Sequence, residues 1–226
     1  MSHSESTCWT LIEGAVRGRP EDREDLARRY AALIQAALKG RWAGSPILAE
    51  VPDASQEVFL ELFRDGGALH RVRLDRDGSF RGFLYGVILN VARRFERNRR
   101  QHRESALDST ETDSIATDED MLARQFDRTW AESLLNQAAS LMTERARSLG
   151  PPAERRLEIL RLRFSEGLPV RSIAERFSDK TEHVHHEYAK ARADFRKALE
   201  EVVTFHYPGS KLEVERQCQE LIQLLQ

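Results

Sequence analysis

The chain has 226 residues, a formal charge of −2 and a hydrophobic share of 40%. That length allows one domain of ordinary size or two small ones, and 12 Gly with 7 Pro favour helices joined by short turns over a sheet protein. A near-zero sum counts against a nucleic-acid partner only if the charge is evenly spread along the chain. The longest apolar stretch, near 83–89, falls far short of the roughly 20 residues of a membrane span. The opening Met1-Ser-His-Ser-Glu-Ser has neither a basic start nor an apolar core, so a cytoplasmic location and no membrane partner are expected. Cys8 and Cys218 stand alone at opposite ends and form no metal or disulfide spacing. Of the 35 basic residues only five are Lys, at 39, 180, 190, 197 and 211. Arg suits bidentate phosphate and carboxylate recognition, although a GC-rich genome gives the same excess.

Pro20-Glu-Asp-Arg-Glu opens a helix in the manner the helix dipole favours. Leu26, Tyr30, Leu33, Ile34, Ala37 and Leu38 then recur at helical spacing and predict one buried stripe. Residues 40–46 break the chain. Pro52-Asp53 restarts a helix with Val58, Phe59, Leu62 and Phe63 apolar, and Asp65-Gly66-Gly67 stops it. Residues 71–79 read as a polar loop. A helix over 80–100 begins apolar and ends basic. Residues 104–120 carry seven acids and no base, with no apolar period, and predict a disordered or extended linker. Helices follow over 121–149, 153–164, 170–177, 181–203 and 211–225, with Gly150-Pro151-Pro152 and Tyr207-Pro208-Gly209 as breaks.

The sharpest local pattern lies at 168–184. A short helix with apolar Ile173, Ala174 and Phe177 meets the turn Ser178-Asp179-Lys180 and a second helix from Thr181. Small Ala174 permits a close crossing, with Val184 beneath it. This predicts a helix-turn-helix, whose second helix presents its first turns to a major groove; an ordinary helical hairpin has the same spacing. Those turns carry Thr181, Glu182, His183, His185, His186 and Glu187, read as exposed, with Lys190 and Arg192 only later. Glu accepts from cytosine, and Thr and His reach base edges or phosphates. His183 and His186 lie one turn apart, but no Cys or carboxylate pair completes a metal site. A pH-tuned DNA contact is a further reading of the imidazoles.

The second pattern spans 71–103, where ten Arg face three acids, a net of +7, with Phe80, Phe83, Tyr85 and Phe95 interleaved. Cations neutralise phosphates and aromatics stack on unpaired bases. Part of the apolar set also fits a plain core. The opening sum thus contains a basic block of +7 beside an acidic linker of −7.

Asp53-Ala-Ser-Gln-Glu-Val-Phe-Leu-Glu-Leu-Phe, followed by Phe80-Arg-Gly-Phe-Leu-Tyr-Gly-Val-Ile-Leu-Asn-Val-Ala-Arg-Arg, resembles the first DNA-binding domain of the extracytoplasmic-function (ECF) sigma factors of bacterial RNA polymerase. The stretch 168–199 resembles their second. The resemblance implies an all-α chain of two helical domains joined by an acidic flexible linker, the second a helix-turn-helix domain: 1–103, linker 104–120, 121–205, and a C-terminal amphipathic helix in 206–226. It implies polymerase docking by Asp53, Gln56, Glu57, Leu60 and Glu61. It implies −10 element contacts by Arg73, Arg76, Phe80, Arg81, Phe83, Asn90, Arg93, Arg94 and Arg97. It implies −35 element contacts by Arg171, Ser172, Thr181, Glu182, His183, His185, His186, Lys190 and Arg192.

Core RNA polymerase and promoter DNA are the implied partners, with an anti-sigma factor or a regulatory kinase acting on Ser55 as further ones. No cofactor, metal or catalytic residue is implied. The chain departs from the family at Glu50-Val51-Pro52-Asp53, less acidic than usual, at Phe83 in a Trp position, and at Val184-His-His-Glu. The segments 121–149 and 211–226 exceed a minimal member, and the tail is read as a brake on promoter binding. A helix-turn-helix regulator acting without polymerase, or a helical adaptor, remain the alternatives.

Overall fold

A computed structural model describes residues 8–71, 80–105, 119–207 and 210–223; among them the chain is helical throughout, without a strand. Contacts divide it into two compact units. The first comprises 1–133 with 205–207 and 221–226, the second 134–204 with 208–220. The division falls inside a helix rather than at the acidic segment, of which 106–118 lie outside the described residues.

Unit 1 opens with α1, Cys8–Val16, whose Cys8, Leu11, Ile12 and Ala15 are buried. Next comes α2, Pro20–Arg41, with Pro at its first turn and Glu21 and Asp22 beside the N–H groups that no helical carbonyl reaches. Its stripe Leu26, Tyr30, Leu33, Ile34 and Leu38 is buried, while Ala37 is half-buried. Each such Leu or Ile contributes about 1.5–3 kcal/mol through burial, so a charge at Ile34, which is wholly buried, would break this helix away. The expected break after α2 contains a 3-10 turn, Pro46–Glu50, held at its start by the Ser45 hydroxyl accepting from the Ile47 N–H.

Helix α3, Val51–Phe63, buries Val51, Ala54, Ser55, Val58 and Leu62. Helix α4, Phe80–Ser105, runs further than expected. It buries Phe80, Leu84, Val87, Ile88, Val91, Ala92 and Glu96, a stripe at three- and four-residue spacing. Helices α2 and α4 meet around a buried carboxylate. Glu96 takes Arg41 Nε at 2.6 Å and Nη2 at 3.0 Å, and Trp42 Nε1 donates to it at 2.9 Å.

Helix α5, Glu119–Leu149, passes from the first unit into the second. Gly150, at φ 85°, ends it in a conformation open to glycine and lets Pro151 start α6, Pro151–Phe164. Unit 2 continues with α7, Val170–Arg176, and α8, Thr181–His206. Ile159 and Leu162 of α6, Ile173 and Ala174 of α7 and Val184 of α8 form one buried cluster, with Leu168, Val170, Phe177 and Tyr188 packed around it. The final helix is α9, Lys211–Gln223. No helix among the described residues is long and apolar enough to cross a membrane.

Candidate nucleic-acid interface

In α3 the outward face holds Asp53, Gln56 and Leu60, which are exposed and share a helical side. Leu60 is 62% exposed. Glu57 and Glu61 are half-exposed and already engaged: Arg94 of α4 reaches Glu57 at 2.5 Å and Arg64 reaches Glu61 at 2.8 Å. Ser55 corrects the kinase expectation. Its side is buried and its hydroxyl donates to the Val51 carbonyl at 2.7 Å, so it is not the accessible hydroxyl that phosphorylation requires.

Along α4 the structure sorts the expected contacts into two groups. Asn90, Arg93 and Arg97 are exposed and, with half-exposed Arg94, share one side of the helix. Arg81 is half-exposed and paired with Asp127 at 2.8 Å. The aromatics turn inward. Phe80 is 2% exposed, its ring 5.0 Å from Tyr30 and 6.4 Å from Trp9, which corrects its assignment to a DNA-facing role. Phe83 is half-buried, 5.9 Å from Phe80. Tyr85 packs on Phe126 and Phe95 on Trp42. The reason is the phase of the helix: Phe80, Leu84, Val87 and Val91 lie on one stripe, so a contact role for Phe80 would empty the core. Arg73 and Arg76 lie outside the described residues.

In unit 2 the turn between α7 and α8 is closed by its backbone. The Phe177 N–H donates to Ile173, that of Ser178 to Glu175, and that of Asp179 to Ala174. Ser178 has φ 51°, a left-handed conformation costly for a residue with a Cβ. Beyond the turn Glu182, His183, His185, His186, Lys190 and Arg192 are exposed, Thr181 is half-buried, and Val184 anchors the helix beneath them. Arg171 is exposed, 3.4 Å from Glu175, and Ser172 is half-buried. Arg192 lies over the Tyr188 ring at 5.9 Å.

Glu187 departs from expectation. It is 8% exposed rather than on the outer face, and Lys190 reaches it at 3.0 Å and Arg156 of α6 at 4.0 Å. The Lys190 ammonium holds its carboxyl below the usual range, with Arg156 contributing less. Lys190, the first base of α8, is therefore partly spoken for. Among the described residues no three His, Cys, Asp or Glu side chains gather as metal ligands.

Asp179 had no expected role, yet it joins α6, the turn and α8. The Lys180 N–H donates to its Oδ1 at 2.7 Å, Arg155 Nη2 donates to its Oδ2, and His183 Nδ1 lies 2.7 Å from Oδ2. The signal was present as an acid four residues before a histidine across a helix start, a spacing that brings side chains together. No protein-family model matches the chain, and no curated protein matches it.

Proposed function

We propose that the chain is a promoter-specificity subunit of bacterial RNA polymerase of the ECF sigma type, acting in transcription initiation without catalysis of its own. The observation that carries the reading is the start of α8. Glu182, His183, His185 and His186 stand exposed there, while Val184 fixes the helix on the cluster of Ile159, Leu162, Ile173 and Ala174. A recognition helix needs this combination: side chains free to enter a groove, on a backbone that packing holds still. In this reading α7 and α8 form the helix-turn-helix that reads the −35 element. The basic side of α4, with Asn90, Arg93, Arg94 and Arg97, takes the −10 strand, and Asp53, Gln56 and Leu60 of α3 dock on polymerase.

The experiment is capture of core polymerase by the tagged chain, followed by promoter binding at several salt concentrations. We expect capture by the wild type and its loss in Asp53→Lys with Leu60→Asp. We expect promoter affinity of the assembled complex to fall by orders of magnitude over a few-fold rise in salt, since phosphate contacts release counterions. Absence of capture with retained duplex binding would point to a regulator that acts without polymerase.

One observation favours a second reading, a helical adaptor. Before Lys190 the exposed start of α8 carries Glu182 and three imidazoles but no Lys or Arg. An adaptor would show neither duplex binding nor a salt slope.

A further inference from the structure

His183 is exposed, yet it is not free to turn. Its Nδ1 lies 2.7 Å from Asp179 Oδ2, with half of its side chain, 51%, open to solvent. Asp179 in turn is fixed from three sides, by the Lys180 N–H, by His183 itself and by Arg155 of α6. Arg155 is seated as well, its guanidinium 5.1 Å from the centre of the Phe177 ring. The Lys180 N–H, then His183 and Arg155, hold the Asp179 carboxyl below the usual carboxylate range. It therefore stays ionised, and an ionised carboxylate only accepts hydrogen bonds.

The consequence for the ring is chemical. A neutral imidazole has one N–H, and the partner of one nitrogen decides which atom carries it. Against a carboxylate that must be Nδ1, which leaves Nε2 of the half-open ring as a bare acceptor. A second proton then adds to Nε2 and turns the same atom into a donor.

We propose that Asp179 is a positioning residue that fixes the tautomer of His183, so that the neutral ring accepts from an exocyclic amino group of adenine or cytosine and the protonated ring donates to guanine or phosphate. This rests on the reading of α8 as a recognition helix. The pairing follows the major-groove pattern, in which adenine and cytosine offer amino donors and guanine offers only acceptors. The charged and titratable groups around the ring are Asp179 in the turn, Arg155 on α6, and Glu182, His186, Glu187 and Lys190 on α8 itself, with Lys180 between.

The test has two arms on the full chain, as wild type, Asp179→Ala and His183→Gln. Nitrogen-15 NMR of the imidazoles at pH 8 reads the tautomer without DNA. Randomised duplexes are then selected by each variant assembled with core polymerase, at pH 8 and at pH 6. We expect the His183 proton on Nδ1 in the wild type, and on Nε2, the tautomer that free imidazole favours, in Asp179→Ala.

We expect the wild type to prefer adenine or cytosine at one position at pH 8 and to shift roughly fivefold toward guanine at pH 6, the worth of one hydrogen bond. His183→Gln offers both a donor and an acceptor at every pH, so its preference should not move. If Asp179→Ala unfolds unit 2, the wild type and His183→Gln carry the comparison. A wild-type proton on Nε2, or an unchanged base preference with normal binding, overturns the inference and leaves the proposed function standing. Enrichment of no duplex by any variant overturns both.

Discussion

His183 and His206 stand at the two ends of α8, and the two compact units treat them in opposite ways. In unit 2 the imidazole is exposed and joined to a carboxylate. In unit 1 His206 is 5% exposed, beside the Trp130 ring at 5.3 Å and with Tyr30 Oη 3.2 Å from its Nδ1. Burial pushes the Tyr30 phenol well above its ordinary range, so it stays neutral beside the imidazole. The imidazole Nε2 is a buried atom without a hydrogen-bond partner among the described residues. Burial, with Arg29 adding, pushes the His206 pKa down to about 3. One side chain thus serves as a neutral core group in one place and as a hydrogen-bonding head in the other. Location relative to charge and water, not residue type, sets the difference.

The contrast extends to the acids. Unit 1 keeps Glu96 4% exposed and satisfies it with Arg41 and Trp42, whereas unit 2 keeps Asp179 at a surface turn. The largest expected effect follows. Glu96→Ala leaves the Arg41 guanidinium and the Trp42 N–H without an acceptor, and should cost about 3–5 kcal/mol in urea unfolding. A loss under about 1 kcal/mol would mean that unit 1 does not depend on its buried charge.

The second effect concerns pH. The unfolded chain protonates His206 near 6.5, the folded chain only near 3. The stability that neutral His206 preserves is therefore complete above about pH 6.5 and is lost as pH falls toward 3. Relative to His206→Gln, the wild type should lose about 3 kcal/mol between pH 7 and pH 4. Parallel stability curves for the two proteins would contradict the burial account. The same contact bears on the expected brake in the tail. Deleting 206–226 removes His206 from the unit 1 core, so a cut after Gly209 is the cleaner test.

Two smaller effects sharpen the unit 2 side. Ser178→Gly relieves the left-handed φ of 51° and should stabilise by about 0.5 kcal/mol, since the gain is offset by the flexibility of glycine in the unfolded chain. His183→Gln should change stability by less than about 0.5 kcal/mol at any pH from 5 to 8, as expected for a surface position. Thermal unfolding across that range measures both.

The helical class and most element positions were legible because they are local properties. The α2 stripe follows from spacing alone, and Pro20, Gly150 and Pro151 mark their own boundaries. What was not legible depends on neighbours distant in sequence. Helix α1 is short and apolar on most sides, so its spacing carries little signal. Phe80 and Glu187 looked exposed in local context, but Tyr30 covers the one and Arg156 and Lys190 draw in the other. His206 gave no signal, because its partners Tyr30 and Trp130 are separated from it by long stretches of chain. At the candidate site the turn and the exposed helix start were readable, but the arginine from α6 that completes Asp179 was not.

The proposed role of this chain is to direct polymerase to promoters. Its most direct test is transcription in vitro from a genomic promoter library by core polymerase, with and without the full chain. We expect new start sites that require the chain, share a sequence near −35, and disappear when Val184→Asp removes the support of α8. Start sites identical with and without the chain, with the chain folded and present in excess, would contradict it.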